Sequence, residues 1–160
     1  MADKATSSLA ASVFQDDIKA SMGGSQAYEP KDANDKWLWA EIAVGNTSAD
    51  LIADRDYLGT LDTTVVADDD VAWVAIKNTS TTSTDGIAIR IDAGTAAYNS
   101  AGNIYIGAGE MVVLKTYTTP LGSIHAISVT MDGAYGYPSA THAGTVSCQV
   151  AAIVDDGGVE

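Results

Sequence analysis

Cysteine and phenylalanine occur once each in this 160-residue chain, at Cys148 and Phe14, histidine twice and proline three times. One thiol excludes an internal disulfide and any cysteine-based metal cluster. The histidines, His125 and His142, stand seventeen apart, so no H-x-x-x-H metal spacing exists. Positive charge is scarce, with eight Lys and Arg against twenty-one Asp and Glu, a net charge of −13. Binding to nucleic acid or to an anionic membrane needs a basic footprint and is excluded on that ground. No apolar run approaches the roughly 20 residues of a membrane-spanning helix. The opening "MADKATSSLAASVF" lacks an apolar core of signal-peptide length, so a soluble protein not exported by the usual signal is expected.

What remains is rich in Ala, Thr, Gly and Val, with 46% apolar residues. β-Branched packing suits strands better than a Leu-rich bundle. From Trp37 onward, eight runs read as short strands: "WLWAEIAV" (37–44), "TTVVA" (63–67), "VAWVAIK" (71–77), "IAIRID" (87–92), "NIYI" (103–106), "MVVLKT" (111–116), "IHAISVTM" (124–131) and "TVSCQVAAIV" (145–154). The first is apolar enough to be a strand covered on both faces. In the fourth, Ile87, Ile89 and Ile91 alternate with Arg90 and Asp92, which sets an inward and an outward face. In the last, Val146, Cys148, Val150, Ala152 and Val154 share a face. Turn chemistry separates the runs, at Asp85-Gly86, Gly94, Gly107 to Gly109, Asp132-Gly133 and Gly144. The expected fold is all-β, an antiparallel two-sheet sandwich with jelly-roll topology.

The first 36 residues differ, carrying four Lys and six acids against four basic residues and fifteen acids in the rest. Two domains follow: an N-terminal arm and linker over 1–36 and a sandwich over 37–160. The arm is helical or extended. Residues 6–22 read as a short helix in which Phe14, Ile18 and Met22, four apart, share a stripe, and Gly23-Gly24 ends it. Such a helix is marginal alone and must dock. An echo links "WAEIAVGNTS" (39–48) with "WVAIKNTS" (73–80), and both Asn-Thr-Ser triplets read as turns, not glycan acceptors.

Chemistry-bearing patterns are few. His125 lines up with Ile127, Val129 and Met131 and reads as a packed, hydrogen-bonded histidine; His142 falls in a loop. No serine sits in a G-x-S-x-G elbow. Cys148, between valines, reads as a small core residue. "GAGEMV" (107–112) lacks the third Gly and the Lys of a phosphate loop and precedes a strand, so it reads as a tight turn. "DANDKWLWAEIA" begins like a calcium loop at Asp32 and Asn34 but places Trp37 and Ala43 where Gly and Glu are needed. Asp54, Asp56, Asp62 and Asp68 to Asp70 read as solvated acidic loops. Trp37, Trp39 and Trp73 suit packing, with a sugar-stacking platform as the alternative. No enzyme, no cofactor and no metal site is expected.

The phrases "WLWAEIAVGNTSADLI", "WVAIKNTST", "GIAIRIDAGTAAYN", "IYIGAGEMVVLK", "IHAISV" and "VAAIVDD", within residues 37–156, resemble a family of small virion structural proteins of tailed bacteriophages. The resemblance implies a β-rich particle protein, similar to capsid decoration (cement) proteins. These have jelly-roll or related folds and commonly sit as trimers on local three-fold axes of the capsid. It carries over no individual functional residues. The expected function is therefore a decoration protein on the virion surface that binds the major capsid lattice, as a homotrimer. A tail, neck or fibre component and a carbohydrate-binding sandwich are the alternatives. The arm is the expected contact, through Phe14, Ile18 and Met22, with Tyr28 and Trp37 as aromatic anchors; the same stripe could instead close one end of the subunit's own sandwich. "NTSTTSTDG" (78–86) is expected to be a flexible hairpin connection pointing to solvent.

Overall fold

The computed structural model describes residues 4–15, 18–29, 36–52, 70–91, 95–115, 124–132 and 136–155. The expected strand at 63–67, the calcium-like start at Asp32 and Asn34, and Asp54, Asp56, Asp62, Asp68 and Asp69 lie outside them. The chain divides into two compact units, 1–33 and 34–160.

The first unit is a hairpin of β1 (Ala5–Gln15) and β2 (Ile18–Tyr28), paired antiparallel along their whole length. The helix expected over 6–22 is not formed. Serines at 7, 8, 12 and 21 compete with helical backbone bonds, and a helix this short is marginal in water. Strand pairing satisfies the backbone directly. Gly23 and Gly24 lie within β2, opposite Ala10 and Leu9, and cap nothing.

The second unit contains β3 (Lys36–Val44), β4 (Ala49–Ile52), β5 (Asp70–Asn78), β6 (Asp85–Ile91), β7 (Ile104–Ile106), β8 (Met111–Lys115), β9 (Ile124–Met131), β10 (Pro138–Thr141) and β11 (Val146–Asp155). A first sheet has the order β3-β11-β5-β8, and a second has β10-β9-β6-β7 with β4 also on β9. All pairs are antiparallel. The chain alternates between sheets at every step except β6 to β7 and β9 to β10. With β10 set aside as an addition, this is the strand order of a jelly roll.

Residues 38–44 and 146–152 of even number pair across β3 and β11, and Val44, Val146, Cys148, Val150 and Ala152 enter the core. They meet Ile87 and Ile89 of β6, Ile106 of β7, and Ile124 and Ala126 of β9 from the other sheet. The alternation read in "IAIRID" is thus realised: Ile87 and Ile89 are fully buried, while Ala88 faces out. On β5 the register shifts, with Trp73 opposite Ile153 but Val71 opposite Val154. Ala72 is the extra residue of a β-bulge. The bulge inverts the parity, which is why Val71 joins Val74 and Ile76 in the same core despite its odd number. "WLWAEIAV" is covered on one face only, since Trp39 is 61% exposed.

Two short strands escaped the sequence pattern. β4 pairs with Ile124 to Ala126 and β10 with Val129 to Met131, so they lie end to end along one edge of β9. Buried Ser128 fills the gap between them: its N–H donates to Gly45 O (2.8 Å), its hydroxyl donates to Gly144 O (2.9 Å), and its carbonyl accepts from His142 N (3.1 Å). The outer face of the second sheet is covered by the chain's own β6–β7 connection. Ala96 and Tyr98 pack on Ala88, Ile127, Val129 and Met131, and the Tyr105 hydroxyl donates to Tyr98 O at 3.0 Å.

The connection after Asn78 is not a hairpin, because β5 and β6 belong to different sheets. It is also pinned. Asn78 is fully buried, and its Nδ2 donates to Asp85 O (3.0 Å) and Ile106 O (3.2 Å), while its Oδ1 accepts from Ser80 N (2.9 Å). Thr79 N and Oγ1 both donate to Ser147 O, at 2.9 and 3.0 Å. One amide side chain therefore ties the end of β5 to β6 and β7 in the opposite sheet. A buried Asn78 cannot accept a glycan, in line with its reading as a turn residue. "GAGE" forms the tight turn expected of it: Glu110 Oε2 accepts from Gly107 N (2.6 Å), and Gly109 has φ +75°, in the left-handed region that favours glycine.

Candidate interaction surfaces

The outer face of the first sheet is laid out in register rows. One row runs Trp37–Ile153–Trp73–Lys115, the next Trp39–Ala151–Ala75–Val113, and the next Glu41–Gln149–Lys77–Met111. All three tryptophans therefore occupy outward register positions of one sheet, two residues or two strands apart. In the first row Ile153 is 0% and Trp73 8% exposed, whereas in the next two rows Trp39 reaches 61% and Met111 48%. Trp73 Nε1 is buried without a hydrogen-bond partner among the described residues. In the third row Gln149 Nε2 donates to Glu41 Oε1 at 3.0 Å. The repeated Trp…Asn-Thr-Ser phrase has a structural counterpart here. β3 and β5 flank β11 on either side, each places its Trp outward, and each leads into a crossover to the second sheet.

Next to Glu41 the edge of the sheet opens into a cleft of about 640 Å³, lined by Thr79, Ser80, Asp85 and Ser147 among others. The Ser80 hydroxyl donates to Asp85 Oδ2 (2.7 Å), and His142 Nε2 lies 3.4 Å from Asp85 Oδ1. His142 Nδ1 accepts from Gly144 N at 3.0 Å, so Nε2 carries the proton of the neutral ring. Ser80 is directed at the carboxylate and not at the imidazole. With Thr82 N donating to the Ser80 hydroxyl at 3.1 Å, the trio orders the loop after Asn78. His125 is half-buried on the outer face of the second sheet, in line with Ile127, Val129 and Met131 and opposite Arg90 and Asp50.

The hairpin is two-faced by register. The rows Leu9–Gly24, Ala11–Met22, Val13–Ala20 and Gln15–Ile18 alternate with Ser8–Ser25, Ala10–Gly23, Ser12–Ser21 and Phe14–Lys19. Ile18, Met22 and Tyr28 stand in rows of the first kind, while Phe14 stands in a row of the second. The helical stripe of Phe14, Ile18 and Met22 is thereby split. Leu9, which the helical spacing left out, joins the apolar rows. Leu9 is 52% and Met22 64% exposed, and Tyr28, opposite Ala5, is buried. Trp37 stands opposite Ile153 in the sandwich.

Among the described residues no group of three or more His, Cys, Asp or Glu could hold a metal ion, and no helix is long and apolar enough to cross a membrane. Cys148 is fully buried in the core, and burial pushes its thiol up to about 11 from the ordinary 9.0. The neutral thiol is favoured in the fold, so its contribution is complete below about pH 9 and is lost as pH rises through about 11. Cys148→Ala is expected to flatten that part of the alkaline decline in thermal midpoint. The native thiol is expected to resist Ellman's reagent until the chain is unfolded; immediate labelling at pH 8 would contradict the buried placement.

No family model matches the sequence, and no curated protein matches it. Among solved structures the fold is similar to a protein from Bacillus endospore appendages, a family of disulfide-linked pili, with TM-score 0.42 and 12% identity over 78% of this chain and 88% of that one. At that score the likeness carries no argument about this chain.

Proposed function

We propose that the chain is a non-enzymatic structural subunit of an assembled particle, a decoration protein of a tailed-phage head that docks through its N-terminal hairpin. The hairpin carries the reading. A two-stranded ribbon is marginal on its own in water, yet this one sets Leu9 and Met22 in solvent on its apolar rows. Such an element gains stability by laying that side on another surface. The resemblance of residues 37–156 to phage virion proteins supplies the particle, and the jelly-roll order suits it. The net charge of −13 keeps free subunits apart.

The test is co-sedimentation with assembled heads. The wild-type chain is expected to pellet with heads and not with free capsid subunits, and Leu9→Asp with Met22→Asp is expected to abolish pelleting. Because both side chains are exposed, the unfolding free energy should change by no more than about 0.5 kcal/mol. Undiminished pelleting of the double variant would remove the hairpin from the contact. Antibody labelling of tails in place of heads would move the protein to the tail, neck or fibre. A light-scattering mass near three times 16.5 kDa is expected for the trimer.

A further inference from the structure

The outer face of the first sheet supports an inference that is independent of the hairpin and of any place in a particle. We propose that this face binds a neutral oligosaccharide, with Trp39 as the stacking platform and the Glu41–Gln149–Lys77 row, together with the adjoining cleft, as its hydrogen-bonding partners.

A pyranose ring has two kinds of surface. Its face is a patch of C–H groups, and its rim is a ring of hydroxyls. A site for it therefore needs a flat, accessible aromatic plane beside several fixed donors and acceptors. Trp39 supplies the plane. It projects from a paired strand, is 61% exposed, and has only Ala151 and Ala75 next to it in its register row. Small residues over two strand spacings leave a shallow floor about 10 Å wide alongside the indole. A bulky neighbour there would cover the ring.

The polar partners begin one step along the same face, about 7 Å from Trp39. Glu41, Gln149 and Lys77 form an acceptor, an amide and a donor on three adjacent strands. Gln149 Nε2 donates to Glu41 Oε1 at 3.0 Å, so amide and carboxylate already stand side by side on the face. Beyond Glu41 the ladder continues into the cleft, where Thr79, Ser80 and Ser147 add hydroxyls and Asp85 a second carboxylate. The wall of the cleft is held by Thr79 on Ser147 and by the Asn78 clasp, so the ligand would not have to order it.

Charge selects the class of sugar. Two carboxylates line the cleft and the chain as a whole carries −13. Uronates, sialylated chains and phosphorylated glycans are repelled, and neutral hexoses or N-acetylhexosamines are admitted. The row on one side of Trp39 is polar, Glu41–Gln149–Lys77, and the row on the other holds Ile153 and Trp73, so the indole sits at the border between hydrogen-bonding and apolar surface.

The experiment is titration of the full chain with neutral hexasaccharides of glucose, mannose and N-acetylglucosamine, read by tryptophan fluorescence, with polygalacturonate as the anionic comparison. At least one neutral hexasaccharide is expected to shift the emission, with micromolar to millimolar affinity, and polygalacturonate is expected to do nothing. Trp39→Ala is expected to weaken binding by about tenfold or more, with an unchanged melting temperature because the side chain is exposed. Trp39→Tyr should recover part of it, and Glu41→Ala should weaken it several-fold. Silence towards all neutral hexasaccharides at about 10 mM would overturn the proposal, as would binding that Trp39→Ala leaves untouched. A glycan-silent wild type whose oligomer dissociates in Trp39→Ala would overturn it in favour of a subunit interface.

Discussion

Asn78→Leu is expected to lower the unfolding free energy by about 3 to 5 kcal/mol. The leucine is close in volume, so the cost is polar. Asn78 is fully buried and uses both Nδ2 hydrogens and its Oδ1. Its loss removes hydrogen bonds from Asp85 O, Ile106 O and Ser80 N, in a place where water does not readily replace them. Each buried polar group left unmatched costs about 1 to 3 kcal/mol, and partial relaxation of the 79–84 loop recovers some of the sum. Asn78→Asp keeps the shape and is expected to do at least as much harm at neutral pH. It would aim carboxylate oxygens at the carbonyls of Asp85 and Ile106 and bury a charge. Burial and those carbonyls raise the folded-state pKa of the new acid above its unfolded value near 4, so at about pH 4 the deficit is reduced to the one carbonyl that a single O–H cannot serve, and it grows as pH rises. Urea unfolding of the wild type and both variants at pH 4 and pH 7 measures this. A loss below about 1 kcal/mol in Asn78→Leu would mean that the clasp is replaceable by water.

The sandwich was legible in the sequence where one face of a strand is buried and the other is not. Ile87 and Ile89 around Ala88, and Val146, Cys148, Val150 and Ala152 around Gln149, sort themselves by alternation alone. Legibility failed where the information is not periodic. β4 and β10, at four residues each, are too short to show a period and exist because β9 offers an unpaired edge. The N-terminal segment misled because Phe14, Ile18 and Met22 satisfy a four-residue spacing, while the alternation of Leu9, Ala11 and Val13 with Ser8, Ala10 and Ser12 is diluted by alanine. Loop 79–84 was legible in its tip, since Thr81 to Thr84 are exposed as their hydroxyls lead one to expect, but not at its root, where only the three-dimensional position of Asn78 shows that Asn78, Thr79 and Ser80 bond inward. The candidate surface was legible in part. Trp37 and Trp39 share a strand parity that sequence alone reveals. That Trp73 stands on the same sheet face depends on β11 lying between β3 and β5, a long-range pairing that no local pattern encodes.

Gly86→Val is expected to cost about 2 to 4 kcal/mol, and Met131→Ala in the same chain is expected to return a large part of it. "TDG" reads as a turn, yet Gly86 lies inside β6, buried, paired with Val129 of β9. A Cβ at Gly86 would overlap Met131 Cγ and lie 2.5 Å from its Sδ and 3.0 Å from Val129 Cγ2. No left-handed backbone is involved, so the glycine is there for space: the Met131 side chain, 5% exposed, occupies the place of the missing one. Adding a small side chain forces an unbranched, flexible methionine aside at modest cost. A β-branched one adds two γ-methyls beside a Cβ that is already tight against Val129 Cγ2, and overpacking of that kind costs about 1 to 3 kcal/mol or more. Met131→Ala alone opens a cavity beside Ala88 and costs about 2 kcal/mol or more. Because each substitution supplies what the other removes, the pair should fall well short of additivity, with a coupling of about 1 to 3 kcal/mol in the stabilising direction. A double-mutant cycle by chemical denaturation gives the answer. Strict additivity would mean that valine at position 86 is accommodated by movement of β6 itself. In that case the Asp85–Asn78 contact one residue away would loosen, and Gly86→Val and Asn78→Leu would then be coupled in place of Gly86→Val and Met131→Ala.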